Sequence, residues 1–308
     1  MKYNMSIIIP FFNSKKFIKK NFANIYNIQK KYDKIEAIYV DNNSSDSSYE
    51  ILKKKILSTK NISIYRANKE KEQSPGVARN LGVLKSKSEN ILFLDIDDTL
   101  KIKNFKKIIN FLNIYKPNIT YLKKNSKSSS APYIKYNKNN LEKFFKNTNN
   151  MEAIAIIFNK EFLFRNKITF YSKIYEDIFF IFKSHFYNKK KIYFSSDIIY
   201  NKYFNKESIT NTKISELHVD SKFNAWKVIN YFLKNKVKKK EYKRLLPYIQ
   251  YRWRGELANE YIKINKQKLN NKKKLYLIDR ITKKYKKFIL KSYRCVTVKD
   301  KIVDKLIA

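Results

Sequence analysis

Apolar and polar positions alternate along the chain in short blocks. "SIIIPF" (6–11) is a β-branched apolar run ending at a proline and predicts a buried strand. Phe17, Ile18, Phe22, Ile25 and Ile28 then recur at helical spacing across 15–31. "IEAIYV" (35–40) predicts a second strand, "DNNSSDSS" (41–48) a polar turn, and Ile51, Leu52, Ile56 and Leu57 a second helix. "ISIYRA" (62–67) reads as a third strand, a loop with Pro75-Gly76 opens a helix near 77–86, and "NILFLDI" (90–96) is a fourth strand. After a polar loop at 123–132, "AIAIIF" (153–158) and "KIYFSS" (191–196) predict strands. Between them, "EDIFFIFKSHF" (176–186) predicts an amphipathic helix with two acids at its start. From about 216 the pattern turns helical and lysine-rich, with Phe223, Trp226, Ile229 and Phe232 in phase, and no internal repeat is visible.

Strands alternating with helices indicate an α/β fold, a mostly parallel sheet with helices on both faces. In such sheets ligands bind at the carboxyl ends of the strands. Acids collect there: Asp41 follows the second predicted strand, and Asp95 and Asp97 end the fourth. The pattern divides the chain into residues 1–215 and a helical extension, 216–308.

Composition changes this picture in two respects. The 68 basic and 26 acidic residues give a net charge of +42, which suggests an anionic partner such as nucleic acid, a lipid surface or a phosphorylated substrate. Yet 60 of the 68 are Lys and only 8 are Arg, with 3 Gly in 308 residues. That bias matches AT-rich codons, and base readout leans on the arginine fork, so nucleic acid is not an expected partner. Apolar residues, 43% of the chain, suffice for a substantial core. No run approaches the roughly 20 apolar residues of a membrane span, and the first apolar run is too short for a signal peptide. The lone Cys295 fits a reducing compartment, so the cytoplasm is expected.

"ILFLDIDDTL" (91–100) carries the densest chemistry. Its Asp95-x-Asp97-Asp98 looks like the first motif of a haloacid-dehalogenase-type phosphatase, and equally like a DxD motif that holds a divalent cation. The phosphatase motif sits on a first strand, whereas three predicted strands precede this one. Three carboxylates on one turn repel each other without a cation, and oxygen ligands suit Mg²⁺ or Mn²⁺.

Five segments in order, "SIIIPFFN", "IEAIYVDNNSSDSS", "GVARNLG", "ILFLDIDDTL" and "NKITFYSKIYEDIFF", resemble the family 2 glycosyltransferases across roughly residues 5–210. The resemblance implies the GT-A fold, with a nucleotide-sugar part at about 1–100 and an acceptor part at about 101–215. It also implies inverting transfer of a sugar from a nucleotide donor. Donor contacts fall on Pro10, Phe12, Asn13, Asp41, Asn42, Arg79, Asp95 and Asp97, with Asp97 the metal ligand. Phe12 stands where the family has Tyr, stacking near uracil or serving as a core aromatic. Asn42 replaces an Asp that contacts the base edge; an amide both donates and accepts, although the Asx-rich segment also suits a helix cap. Arg79 suits a donor phosphate or a sheet-end carboxylate, Gly82 a packing position, and Asp98 a supporting contact or a helix cap. Asp177 stands where the family has its catalytic base, with Glu176 on the acceptor side; acids also favour a first helical turn for the macrodipole alone. Tyr203 occupies a position where many relatives have Arg, with Lys202 and Lys206 nearby. His185 and His218 have no metal-ligand spacing.

The expected activity is metal-dependent (Mn²⁺ or Mg²⁺) transfer from a UDP-sugar to a glycan or lipid-linked glycan of the bacterial surface, such as lipooligosaccharide, capsule or a wall polymer. From another class, a basic protein binding nucleic acid or an anionic surface is the competing reading. In "LYLIDRITKKYKKFILKSY" (275–293), Ile278, Ile281, Tyr285, Phe288 and Ile289 share a face opposite most of the lysines. That face either lies in an anionic membrane, on the inner side of the cytoplasmic membrane, or packs on the catalytic domain.

Overall fold

The computed structural model describes residues 3–68, 74–125, 141–147, 151–171, 175–203, 205, 212–289 and 298–307. In order the elements are β1 (Met5–Phe11), α1 (Lys15–Lys31), β2 (Ile35–Asp41), α2 (Ser48–Ile56), β3 (Ile62–Arg66), α3 (Pro75–Lys85), β4 (Asn90–Phe93) and β5 (Thr99–Ile102). There follow α4 (Phe105–Tyr115), β6 (Ile119–Asn125), α5 (Leu141–Asn147), β7 (Ile156–Asn159), α6 (Lys160–Arg165), α7 (Glu176–Tyr187) and β8 (Tyr193–Asn201). The chain ends in α8 (Glu216–Lys236), α9 (Lys239–Lys266), α10 (Asn271–Lys286) and α11 (Val298–Ile307). It folds into two compact units, residues 1–138 with 150–205, and 139–149 with 206–308.

Among the described residues, the first unit holds one eight-stranded sheet in the order β3-β2-β1-β4-β7-β6-β8-β5. β1 runs parallel to both β2 and β4, and β2 parallel to β3. β7 is antiparallel to β4 and β6. Every residue of β1 and β2 is buried, which explains why both read as continuous apolar runs: helices cover both faces. Ile7, Ile9, Ala37 and Tyr39 share a cluster with Ile18 and Ile25 of α1. Ile38 and Val40, on the opposite face, meet Ala78 of α3.

α3 begins with Pro75 behind Ser74, whose hydroxyl accepts the Val77 N–H at 3.2 Å. Two glycines allow its close approach. A Cβ on Gly82 would lie 2.3 Å from Ile8 Cγ2, and one on Gly76 2.8 Å from Phe170 Cβ. Gly82 is therefore the packing glycine expected of it, and the two together set Arg79, between them in sequence, against the strand ends.

The pattern misplaced several boundaries. The fourth strand stops at Phe93 instead of continuing to 96, and the Asp95–Asp98 segment turns into β5, a short strand without its own apolar run. The first three residues of the supposed loop 123–132 finish β6, and 126–132 lie outside the described residues. β7 starts only at Ile156, because Ala155 takes a left-handed φ of 58°. The division falls at 205/206 instead of 215, and residues 139–149 join the helical unit. Their pull is apolar: Phe144 and Phe145 are buried, and Phe145 lies 6.5 Å from Trp226.

The helical unit has its own core. Phe223, Trp226, Ile229 and Leu233 of α8 are buried together with Trp253 of α9. Leu277, Ile281 and Tyr285 of α10 are buried with them, Tyr285 lying 5.2 Å from Phe223 and 5.4 Å from Trp253 between ring centroids. The apolar face of α10 thus packs on α8 and α9, while residues 290–293 of the predicted segment lie outside the described residues. Burial of that face in protein removes it as a membrane-lying face, and its described partners are helices of its own unit. Among the described residues, no helix is long and apolar enough to cross a membrane.

Candidate active site at the strand ends

Beyond Phe93 the chain makes a tight turn closed by the Asp98 N–H donating to the Asp95 carbonyl at 3.0 Å. The turn puts ligand oxygens of Asp95, Asp97 and Asp98 within 4.8 Å of one another. Asp98 points into protein. One of its oxygens accepts the Tyr200 hydroxyl at 2.7 Å and the other the Tyr203 N–H at 2.8 Å. It caps no helix, since β5 follows. Tyr200, buried on β8, also accepts the Asp95 N–H at 3.1 Å, so one phenol fastens both ends of the acidic turn. Asp97 accepts from Asn205 at 3.0 Å. The three acids strain one another: burial and the Asp95 charge raise the Asp97 carboxyl above its ordinary value and push Asp98 up to about 7.

Arg79 reaches this turn from α3. Its guanidinium donates to Asp95 at 2.9 Å, to Asp177 at 3.3 Å and to Glu176. Of the two roles open to Arg79 in sequence, this geometry displays the carboxylate one. The acids of α7 follow Tyr175, whose φ of 58° is a left-handed conformation uncommon for a bulky side chain. Such strain clusters at functional sites; here it starts α7 with both carboxylates turned to Arg79. Asp177 also accepts the Ala153 N–H at 3.2 Å. Burial is the largest influence on Asp177 and outweighs the opposing pull of Arg79. With Glu176 and Asp95 adding repulsion, its carboxyl is pushed up to about 7. Burial likewise raises Glu176.

The ends of β1 and β2 form a second wall. Asp41 is fully buried and accepts from Ser44 N–H at 2.9 Å and Arg66 Nε at 2.7 Å, so it shapes the loop that follows β2. Asn42 is 6% exposed and its Oδ1 is buried without a hydrogen-bond partner among the described residues. Asn43 beside it, at φ 64°, has both side-chain amide atoms in the same condition. Asn13 takes φ 45° and its Oδ1 accepts the Ser45 and Asp46 N–H groups at 2.8 and 3.3 Å, stapling the two loops. Pro10 is buried within β1. Phe12 is 46% exposed; this corrects the core-aromatic alternative, because its ring faces solvent.

Sequence reasoning passed over Tyr200, Asn43, Asn205 and Ala153. Each is an ordinary residue that no local pattern marks; Tyr200 lies 105 positions from Asp95. Lys202 pairs, together with Lys124, with Glu152. Lys206 lies outside the described residues. Neither histidine joins the site. His185 bonds Tyr121 at 3.0 Å and the Ile181 carbonyl at 2.8 Å, and burial lowers it to about 4. His218 bonds Ser215 at the start of α8.

Residues 6–192 match the Glycosyl transferase family 2 profile. An uncharacterized glycosyltransferase of Haemophilus influenzae is 32% identical over 108 residues, 35% of this chain and 42% of that protein. The poly(ribitol-phosphate) beta-N-acetylglucosaminyltransferase TarP of Staphylococcus aureus is 27% identical over 185 residues, 57% of this chain and 55% of that one. The chain thus spans about half the length of these curated relatives. Among solved structures, S. aureus TarS 1-349 in complex with UDP-GlcNAc superposes with a TM-score of 0.70 at 16% identity, covering 100% of this chain and 89% of that one. The likeness identifies the GT-A fold, and the match leaves the phosphatase reading of the acidic turn without support. With the profile spanning more than half of its length, the chain belongs to glycosyl transferase family 2.

Proposed function

We propose that this family 2 glycosyltransferase moves a sugar from a UDP-linked donor to a hydroxyl of a bacterial surface polymer, the wall polymers of the poly(ribitol-phosphate) kind being the nearest chemistry. The observation that carries the reading is the convergence of Asp95, Glu176 and Asp177 on one guanidinium at the strand ends, with Asp97 on the same turn as Asp95. TarP, named for transfer to poly(ribitol-phosphate), and TarS, bound to UDP-GlcNAc, support the choice of acceptor and donor classes.

The acidic turn fits a divalent cation. Its donors are all oxygen, which suits Mn²⁺ or Mg²⁺, and they lie within 4.8 Å of one another. Asp98 is engaged by Tyr200 and Tyr203, so Asp97, with Asp95 beside it, would hold the ion. When bound, such an ion offsets charge on the departing diphosphate. Asp177 is the base: its carboxylate takes the acceptor proton as the hydroxyl oxygen bonds to the anomeric carbon and the bond to the diphosphate oxygen breaks. A carboxylate held near 7 is a stronger base than an ordinary one and is still substantially ionised at neutral pH. Glu176 borders the acceptor side, and Arg79 keeps it, Asp177 and Asp95 aligned. Phe12 stacks on the nucleobase, and Asn42, whose buried Oδ1 has no partner among the described residues, supports the base edge.

Hydrolysis of a panel of nucleotide sugars, with Mn²⁺ and with chelator, tests this. Metal-dependent release of UDP from one member supports the reading. Release that survives chelation rejects the metal, and no release from any UDP-sugar rejects the donor.

A further inference from the structure

The helical unit has an outer surface used neither by its core nor by the acidic site. α8 is 21 residues long. Opposite its buried side, Leu217, Asn224, Val228 and Tyr231 follow one another at helical intervals and occupy one narrow sector. Leu217, Val228 and Tyr231 are 49%, 43% and 71% exposed, and Lys227 and Lys234 are exposed at the flank of the stripe. α10 continues it. Asp220 on α8 accepts from Arg280 at 2.9 Å and pairs with Lys284 at 3.3 Å, joining the two helices edge to edge. Away from its buried face, α10 presents Leu275 and Tyr276, 68% and 44% exposed, with exposed Lys272, Lys286 and Lys287.

Little negative charge opposes these lysines. All six acids between residues 216 and 289 are held in ion pairs with a lysine or arginine of the same unit. Most of the remaining charge is lysine, interleaved on this face with leucine, valine and tyrosine. Lysine is a hydrated point charge with little capacity to read a base edge or grip one phosphate bidentately. Leu and Tyr among lysines suit the boundary between headgroups and acyl chains.

We propose that the outer face of α8 and α10 docks on an anionic lipid bilayer. Leu217, Val228, Tyr231, Leu275 and Tyr276 enter the headgroup layer while the lysines meet lipid phosphate. This face is distinct from the buried apolar face of α10. Docking would concentrate the chain where a lipid-linked acceptor resides; that consequence rests on the proposed acceptor, whereas the docking itself does not.

Flotation of the full chain with vesicles tests it. The protein should float with an equal mixture of phosphatidylcholine and phosphatidylglycerol, stay behind with phosphatidylcholine alone, and release as salt rises. Combining Lys227→Glu, Lys286→Glu and Lys287→Glu should lower partitioning about a hundredfold. Val228→Asp with Tyr231→Asp should lower it about tenfold. All positions are exposed, so both variants should melt at the parental temperature. Equal binding to neutral vesicles, or parental binding by the charge-reversed variant, overturns the proposal. So does full binding by the Val228/Tyr231 variant that soluble inorganic polyphosphate competes away, because that pattern marks a polyanion site with no lipid contact.

Discussion

The acidic end of the sheet and the helical unit treat buried charge in opposite ways. At the strand ends Asp95, Asp97, Asp98, Glu176 and Asp177 gather near one buried guanidinium, that of Arg79, which pairs with three of them. Carboxylate outnumbers cation, and burial raises Asp97, Asp98, Glu176 and Asp177 above their ordinary values. In the helical unit the acids are matched. Glu256 and Glu260, each 2% exposed, share Lys222 at 2.7 Å. Burial opposes the Lys222 charge, yet the two glutamates prevail and hold its ammonium above its ordinary value. Positive charge in excess there lies outside. One region is short of positive charge and the other presents a surplus, so the same physics favours a metal at the proposed site and an anion at the helices.

Asp177→Asn, at the proposed base, strikes the acidic region hardest, because a base acts in the transition state. Loss of general-base catalysis should cut kcat by about 10²–10⁴-fold, with nucleotide affinity nearly unchanged. Collapse of affinity together with rate would make Asp177 a donor ligand. The parental enzyme should show the pH signature. A carboxyl raised to about 7 favours the protonated folded form, so the stability it contributes is complete below the ordinary carboxylate range and disappears as pH rises through about 7. Activity runs the other way. kcat/KM should fall as pH drops below about 7, and Asp177→Asn should erase that limb.

Asp97→Ala removes the proposed metal ligand from the acidic turn and should lower metal-dependent turnover by roughly 10³-fold, several kcal/mol of charge stabilisation, with the fold intact by circular dichroism. Full turnover in chelator would remove metal from the account. Lys222→Met probes the matched region. It leaves buried Glu260 without this cation and Glu256 with Arg252 alone, and should cost about 3–5 kcal/mol in urea unfolding. A cost below about 1 kcal/mol would mean the pairing is incidental. Tyr200→Phe should act most gently. It loosens both ends of the acidic turn and should weaken Mn²⁺ affinity about tenfold, read by calorimetry, while the melting temperature changes little. Unchanged affinity would show that the turn holds its shape without the phenol.

The legibility of this chain follows the range of its interactions. The first four strands and three helices were readable because parallel strands buried on both faces need unbroken apolar runs, and helices need apolar residues every third or fourth position. Asp95, Asp97 and Asp98 were readable because one short turn carries them. β5 was missed because only its antiparallel pairing with β8 makes "TLKI" a strand. The long final helices were readable as helices, but the amphipathic pattern of 275–293 left its partner open, since apolar area has no direction.

Sequence by itself determined the alternating α/β layout, the acidic turn, the family resemblance and the charge excess, all of which depend on local order or total composition. Tertiary structure decided the rest. It brought Arg79 to Glu176 and Asp177 across about a hundred positions, turned Asp98 inward to Tyr200, and buried the face of α10 against α8 and α9. Each of these pairs residues far apart in the chain, where approach is set by packing of whole helices and strands and leaves no periodicity to read.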